Sequence, residues 1–242
     1  MAKTIYNHGD VILRFSDASF SYNDRRPILS EINCAVRERA KMALMGQNGS
    51  GKSTIFKLIL GELQLVEGAV NIRKDATIAI ASQVVRKEDL EKTILEFFAG
   101  AFTKKVYDIE PRAKKALDAV NLVAPIEKKI SQFSGGEQAR LLLAFALIQN
   151  PDILLLDEPT NNLDKAGIAH LTKFLVEYEK TIIVISHDAQ FLNAFTQGVL
   201  YLDIYKQKVE QYVGDYLKVV EEIKMQIDRE RRENARLERD IT

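Results

Sequence analysis

Residues 46–53 read Gly-Gln-Asn-Gly-Ser-Gly-Lys-Ser and match the pattern GxxxxGK[ST]. The run at 41–45 predicts a strand before this loop, and a helical pattern begins at Lys52. Glycines let successive backbone N–H groups turn toward one point, and the following helix aims its positive end there. The stretch therefore predicts a phosphate-binding loop between a strand and a helix, which places the chain among α/β folds.

The positions of this loop have distinct expected roles. We expect the Lys52 amine to bridge the β- and γ-phosphates of a nucleotide, and the Ser53 hydroxyl to bind Mg²⁺. A chance glycine loop would lack the flanking strand and helix. The residues expected to hold the nucleotide here are Gly46, Gln47, Asn48, Gly49, Ser50, Gly51, Lys52, Ser53 and Thr54.

Three polar residues follow two unbroken apolar runs farther along the chain. The run 153–156 ends in Asp157 and Glu158, and the run 181–186 ends before His187. Such runs are typical of parallel strands covered on both faces, whose carboxyl ends meet at one edge. Asp157 is therefore predicted to hold Mg²⁺ and Glu158 to act as general base or to orient the attacking water. His187 is the second predicted catalytic residue, because it can donate a hydrogen bond to the γ-phosphate or hold that water.

Two further side chains are candidates for the same site. Gln83 ends an apolar run from Ile78, and its amide is expected to contact Mg²⁺ or the attacking water. An ordinary surface glutamine is the alternative. Tyr22 offers an aromatic face for stacking on adenine, with a core or turn tyrosine as the alternative.

The segment Ser134-Gly135-Gly136-Glu137-Gln138 opens an apolar run that reads as a buried helix, at 135–148. Ser134 and the N–H groups of Gly135 and Gly136 would form a second anion-binding helix end. The alternative is a plain helix N-cap with close-packed glycines.

Composition excludes several classes of protein. The chain has 242 residues, is 46% hydrophobic, and has 34 Lys and Arg against 34 Asp and Glu, so no global charge favours nucleic acid or acidic membranes. No apolar stretch approaches the roughly 18–20 residues that span a bilayer. The single cysteine, Cys34, is predicted to be a small apolar residue in a strand and fits a reducing compartment. We therefore expect a soluble, cytoplasmic protein.

The remaining segments have simpler patterns. Residues 13–22 and 28–36 read as an antiparallel strand pair, and 68–81 as two short strands. Residues 88–130 have a helical pattern with expected breaks at Gly100, Pro111 and Pro125, and 168–178 reads as a crossover helix.

The tail after Gly214 is predicted to be a long charged helix. Its thin apolar seam comprises Tyr216, Val220, Ile223 and Ile227, and the register continues to Leu237 and Ile241. Two interpretations are open: a solvated helix with one face on the domain, or the start of a linker helix that continues beyond this chain.

These pieces, in this order, resemble the ABC ATPase superfamily. Residues 46–53 resemble its Walker A motif, Gln83 its Q-loop, 134–138 its signature, 153–158 its Walker B motif and His187 its switch histidine. The resemblance implies a P-loop NTPase core of ABC type with an N-terminal antiparallel β subdomain and a small α-helical subdomain. It implies a nucleotide-binding domain at 1–213, with the helical subdomain at about 88–149, and a charged linker helix at 214–242. It also implies ATP and Mg²⁺ as cofactors, and ATP hydrolysis.

The residues of these motifs are similar to those of the F subfamily of soluble ABC proteins. Glutamate stands at Glu137, where transporters usually have glutamine, and residues 157–164 read Asp-Glu-Pro-Thr-Asn-Asn-Leu-Asp. Residues 212–216 resemble the Tyr-x-Gly-Asn-Tyr that leads into the subfamily's interdomain linker. Members carry two nucleotide-binding domains, so this chain is expected to be one of a pair, the first of a tandem, ending inside the linker; a natural single-domain protein is the alternative.

The resemblance also implies partners. Two domains of the superfamily dock head to tail, so Ser134, Gly135 and Gly136 are expected to contact the ATP of a second nucleotide-binding domain, in the same full-length chain or a homodimer. By analogy with the subfamily, the ribosome, through rRNA or tRNA, is the expected target in translation or in antibiotic-resistance ribosome protection. The alternatives are the ATP-binding subunit of a membrane transporter and an ATP-gated clamp that does not hydrolyse ATP.

Overall fold

The structure, a computed structural model, describes residues 9–23, 27–81, 84–102, 106–161 and 163–240. Its strands are β1 (Val11–Ser21), β2 (Pro27–Arg37), β3 (Lys41–Gly46), β4 (Glu67–Ile72), β5 (Ile78–Ala81), β6 (Ile153–Asp157), β7 (Thr181–Ile185), β8 (Gly198–Asp203) and β9 (Lys208–Val213). Its α-helices are α1 (Lys52–Ile59), α2 (Ile94–Ala99), α3 (Ile109–Ala119), α4 (Gly135–Ile148), α5 (Lys165–Glu177), α6 (Ala189–Phe195) and α7 (Tyr216–Asp240).

The strands form two sheets. A six-stranded sheet has the order β5-β6-β7-β3-β8-β9, in which the first five strands are parallel and β9 is antiparallel. An antiparallel three-stranded sheet has the order β2-β1-β4. The predicted α/β class and the antiparallel β subdomain are confirmed. The parallel strands also bring the carboxyl ends of β3, β6 and β7 to one edge.

Alternate residues of the central strands belong to two cores, one on each face of the large sheet. Leu154, Leu156 and Val184 lie in a core shared with α2 to α7. Leu155 and Ile183 lie in a core shared with α1 and the antiparallel sheet. Burial on both faces explains why β6 and β7 are continuous apolar runs rather than alternating ones.

The structure corrects the sequence prediction at several points. Pro111 does not break a helix, because it lies in the first turn of α3, where a backbone N–H would have no partner within the helix. The crossover helix begins at Lys165 rather than at residue 168, since Asp164 caps it by accepting a hydrogen bond from Gly167 N. The hairpin of β8 and β9 was not predicted, although 198–203 is an apolar run with the features of a buried strand.

The first half of α7 packs on the domain. Tyr216, Val219 and Ile223 are buried in the core that α6 also lines, with Val220 and Ile227 packed beside them. Val219 was absent from the predicted seam, whereas the last predicted member, Ile241, lies outside the described residues. Farther along the helix, Lys206 Nζ donates to Glu230 Oε1 at 2.8 Å, joining the β8–β9 turn to α7.

We expect Ile223→Ala to lower the free energy of unfolding by about 2–4 kcal/mol, because it leaves a cavity in the core. Met225→Ala is the matched control, since Met225 lies on the same helix and is 61% exposed. Urea unfolding of both variants, followed by circular dichroism, measures the difference. Equal midpoints for the two variants would contradict the packing of α7 on this domain.

Candidate functional site

The loop after β3 approaches β8 closely. A Cβ atom on Gly46 would lie 2.6 Å from Ser50 Oγ and 2.7 Å from the Leu202 carbonyl oxygen. Gly51 has φ +105°, a left-handed conformation that favours glycine, and a Cβ there would lie 2.7 Å from Ile28 Cγ2. Two of the loop glycines are therefore required by close contacts and by backbone conformation.

The polar side chains of the loop differ in their hydrogen-bond partners. Lys52 Nζ donates to the carbonyl oxygens of Gly46 and Gln47 at 2.8 and 3.0 Å. Asn48 and Gly49 form the exposed turn of the loop. Ser50 is 2% exposed, and its Oγ has no hydrogen-bond partner among the described residues. A buried hydroxyl without a partner fits a ligand oxygen at this position.

The N-terminus of α1 is also open to an anion. Its N-cap, Gly51, supplies no side-chain hydrogen bond, and its first turn contains no acidic residue. The N–H groups of that turn therefore remain as donors for a phosphate. Ser53 lies exposed in the same turn.

Tyr22 lies next to the start of α1. Its hydroxyl is 3.2 Å from Thr54 Oγ1, and its ring makes an edge contact with Phe20 at a centroid distance of 4.9 Å. Thr54 is buried, whereas Tyr22 is 58% exposed. These contacts hold an exposed aromatic ring beside the first turn of α1, which follows the loop.

If Tyr22 stacks on adenine, Tyr22→Ala is expected to weaken ATP binding by about tenfold, the lower range for loss of one base–aromatic stack. Tyr22→Phe retains the ring and is expected to bind as the parent does. Tyr205→Ala serves as control, because Tyr205 is another exposed tyrosine, at 81%. Calorimetric titration with Mg-ATP measures all three; unchanged binding by Tyr22→Ala would place adenine elsewhere.

The carboxylates at the end of β6 face the loop lysine. Burial raises the pKa of Asp157, the charge of Glu158 raises it further, and Lys52 lowers it. Burial lowers the pKa of Lys52, an effect that Glu158 and Asp157 oppose. The three groups therefore share one electrostatic environment at the edge of the sheet.

Glu158 and His187 are in direct contact. The Glu158 carboxylate accepts a hydrogen bond from His187 N at 3.2 Å, and its Oε1 lies 3.3 Å from His187 Nε2. The Glu158 side chain is 12% exposed and the His187 side chain 70%. The structure thus brings together the two residues that the sequence singled out for catalysis.

The backbone at Glu158 is unusual and directs this side chain. Its φ of +50° is left-handed, and its N–H donates to the Ile185 carbonyl oxygen of β7 at 2.8 Å. A non-glycine residue in this region carries strain of about 1–2 kcal/mol. This conformation turns the Glu158 carboxylate from β6 toward the end of β7. Nothing in the sequence indicated it.

Two other contacts that sequence reasoning missed lie beside His187 in the chain. The Asp188 carboxylate caps α6 by accepting from Gln190 N and Phe191 N, both at 3.0 Å. The Thr160 and Ser186 hydroxyls lie 3.3 Å apart, joining the segments after β6 and β7. An aspartate directly before a helical pattern is an N-cap signal, so the first contact was detectable.

Two of the three predicted magnesium ligands, Ser53 and Asp157, lie within the described residues. Among the described residues, no group of three or more His, Cys, Asp or Glu side chains is arranged to hold a metal. Mg²⁺ beside phosphates commonly takes only one or two protein ligands, and Ser53 with Asp157 would supply a hydroxyl and a carboxylate. Gln83, predicted to contact both metal and water, lies outside the described residues. The magnesium assignment stays a prediction.

Ser134, Gly135 and Gly136 open a different helix, α4. Ser134 is its N-cap, and the Glu137 carboxylate accepts hydrogen bonds from Ser134 N at 2.8 Å and Ser134 Oγ at 2.7 Å. The Gln138 amide donates to the Phe133 carbonyl oxygen at 3.1 Å. Ser134 and Gly135 are exposed, so this helix end lies at the surface of the domain.

Comparisons with known proteins agree with this geometry. The family model described as ABC transporter matches residues 29–161. "Probable ATP-binding protein YheS" of Escherichia coli (strain K12) is 33% identical over 232 residues, which cover 93% of this chain and 36% of that protein. "Putative ATP-binding protein YdiF" of Bacillus subtilis is 31% identical, covering 86% of this chain and 32% of that protein. The chain thus spans about a third of the length of these relatives.

A solved structure shows the same fold. The structure of cbiO1 from Clostridium perfringens, described as part of the ABC transporter complex cbiONQ, has a TM-score of 0.72 at 26% identity, over 89% of this chain and 93% of that one. Within the described ranges, no helix is both long and apolar enough to cross a membrane. The motifs, the fold and the relatives confirm the recognition made from the sequence: the chain belongs to the ABC ATPase family, as an ATP-binding domain of the F-subfamily type.

Proposed function

We propose that this domain binds Mg-ATP and hydrolyses it within a head-to-tail pair of nucleotide-binding domains. The most direct support for this proposal is that the sequence motifs lie at two different places in the domain. The phosphate loop, Asp157, Glu158 and His187 lie at the carboxyl edge of one sheet. Ser134 instead caps α4 at an exposed position.

In the proposed reaction the loop N–H groups and Lys52 bind the β- and γ-phosphates. Glu158 orients a water molecule in line with the γ-phosphate and accepts its proton, while His187 donates a hydrogen bond to that phosphate or holds the water. The contact between Glu158 and His187 would keep both side chains at the same phosphate. Mg²⁺, held by Ser53 and Asp157, with Gln83 as a further predicted ligand, would supply positive charge to the phosphates.

The exposed end of α4 gives the reason for a second domain. Ser134, Gly135 and Gly136 would contact the γ-phosphate of ATP that a partner domain holds, so intact ATP would join the two domains. Hydrolysis removes this shared ligand, which makes ATP a switch between closed and open pairs. The partner would be a second domain of the full-length protein or a second copy of this chain.

Dependence of turnover on protein concentration tests the composite site. We expect phosphate release per chain to rise with concentration at low concentration, because pairs must form first. Light scattering with ATP should show a dimer under the same conditions. Constant turnover per chain, together with a strictly monomeric protein, would contradict the composite site.

We further propose that the domain, comprising 1–213 with a linker helix at 214–242, works in the cytoplasm on the ribosome. The similarity of the motif residues to those of the F subfamily supports this proposal, by family analogy alone. The arginines of the tail give weaker support as phosphate contacts: Arg229, Arg231, Arg232, Arg236 and Arg239. A role in translation or in antibiotic-resistance ribosome protection, through rRNA or tRNA, would follow.

Co-sedimentation tests the ribosomal role. A full-length protein that contains this domain with Glu158→Gln should pellet with ribosomes in ATP and remain in solution in ADP. Absence from the ribosomal pellet in ATP would remove the main support for this role.

The alternative function is the ATP-binding subunit of a membrane transporter. The likeness to cbiO1, described as part of a transporter complex, favours it. Co-purification of the full-length protein with a membrane permease would support this alternative.

A further inference from the structure

At the N-terminus of α4, both Ser134 donors are already hydrogen-bonded to a carboxylate of the same helix. Glu137 Oε2 accepts the Ser134 N–H at 2.8 Å and the Ser134 hydroxyl at 2.7 Å, and Ser134 Oγ accepts from Glu137 N at 3.4 Å. These hydrogen bonds from Ser134 hold the pKa of Glu137 below its usual value, so the carboxylate is charged at neutral pH. The hydroxyl proton that a phosphate oxygen would need is therefore committed to Glu137.

The two helix ends that would share one γ-phosphate differ in this respect. In α1, the first turn contains no acidic residue and the N-cap supplies no side chain. In α4, by contrast, the Ser134 side chain caps the helix, and Glu137 adds a negative charge in the first turn. A phosphate that takes the Ser134 hydroxyl as its donor must displace a hydrogen-bonded carboxylate, and it approaches a like charge.

We propose that Glu137 is an internal competitor of the γ-phosphate, which sets the ATP concentration at which two domains pair. This inference rests on the proposed head-to-tail pairing and adds the residue that regulates it. Glu137 occupies the Ser134 donors in the free domain, and the γ-phosphate bound to a partner displaces it. A domain pair therefore forms only when the γ-phosphate outcompetes Glu137, which opposes premature closure.

The chain offers a variant that isolates the charge and a matched control. In Glu137→Gln the side-chain amide oxygen can accept the same two hydrogen bonds from Ser134, so the capping box remains while the charge is removed. Thr93 and Glu96 form a second capping box of the same kind on α2, with Glu96 Oε2 2.8 Å from Thr93 N. Glu96→Gln removes the same charge from a helix end to which no phosphate is assigned.

The experiment measures ATP-dependent pairing by sedimentation velocity, with Glu158→Gln in every protein so that ATP is not consumed. Glu137→Gln is expected to lower the ATP concentration for half-maximal pairing about fivefold, which corresponds to removal of one exposed like-charge interaction. The gain should shrink at high sodium chloride concentration, because salt screens charge. Glu96→Gln should pair as the background protein does. The three proteins should have the same Mg-ATP affinity as monomers and the same unfolding midpoint without nucleotide.

The outcomes separate this inference from the proposed function. If the background protein pairs with ATP and Glu137→Gln needs as much ATP or more, Glu137 is not a competitor, while the paired site stands. An equal gain from Glu96→Gln would assign the effect to overall charge and overturn the inference in the same way. If all three proteins stay monomeric with their phosphate loops saturated, the pairing itself is wrong and this inference falls with it.

Discussion

Glu158→Gln is expected to lower ATP turnover by at least about a hundredfold, in line with the loss of a general base, while ATP binding is retained. Gln has the shape of Glu and can accept the hydrogen bond that His187 N donates. It cannot accept a proton from water, so the reaction loses its base while the phosphate loop is unchanged. Because ATP then persists, pairs of domains should accumulate in ATP and separate when ATP is replaced by ADP.

Single-turnover phosphate release measures the chemical step, and light scattering measures the pairs. Glu177→Gln is the matched control, since Glu177 is an exposed glutamate at the end of α5 and its replacement should leave turnover unchanged. Glu158→Asp retains a carboxylate but is one methylene shorter, so partial activity is expected. Full turnover by Glu158→Gln would assign catalysis to another group, and a monomeric variant at saturating ATP would contradict the sandwich arrangement for this chain.

The sequence predicted the edge of the sheet at which the catalytic residues meet. Residues 153–156 and 182–185 are apolar because β6 and β7 are buried on both faces, and that burial fixes where Asp157, Glu158 and His187 emerge. The residue at which a buried strand ends can be read from the local sequence, because the apolar run stops there. The meeting of the loop, the carboxylates and the histidine then follows from parallel pairing alone.

The features that the sequence did not reveal depend on contacts between distant segments. The left-handed backbone of Glu158 is held by a hydrogen bond to Ile185, in the neighbouring strand. Pro111 was misread because a helix tolerates proline in its first turn, and the position of that turn depends on packing. The capping box of Ser134 and Glu137 was readable from the spacing of the two residues. Its consequence for a phosphate became evident only from the hydrogen bonds.

Gly68 shows the same dependence on distant contacts in the antiparallel sheet. It lies in β4 with φ +80°, and a Cβ atom there would lie 2.3 Å from the Asp17 carbonyl oxygen and 2.4 Å from the Ser16 carbonyl oxygen. Asp17 is itself left-handed, with φ +46°, at an irregularity in the pairing of β1 with β4. The Asn33 amide fixes this bulge by donating to Asp17 Oδ1 at 2.7 Å and accepting from Asp17 N at 3.0 Å.

Gly68→Ala is therefore expected to lower the free energy of unfolding by about 3–5 kcal/mol, more than the roughly 1–2 kcal/mol for a left-handed L-residue alone. The contacts that a Cβ would meet are backbone atoms, which cannot rotate away as a side chain does. Gly61→Ala isolates the conformational part, because Gly61 has φ +72° and a Cβ there meets nothing within 4 Å.

Urea unfolding of the parent and both variants measures these differences, and Mg-ATP titration checks the nucleotide site. Gly61→Ala should lose about 1–2 kcal/mol, the cost of a left-handed L-residue, and retain ATP binding. Gly68→Ala should lose several times more, and weaker ATP binding would show that the antiparallel sheet supports the loop through the core it shares with α1. Equal losses for the two variants would mean that the bulge yields to a methyl group, and that the contact with Asp17 adds nothing to the stability of the sheet.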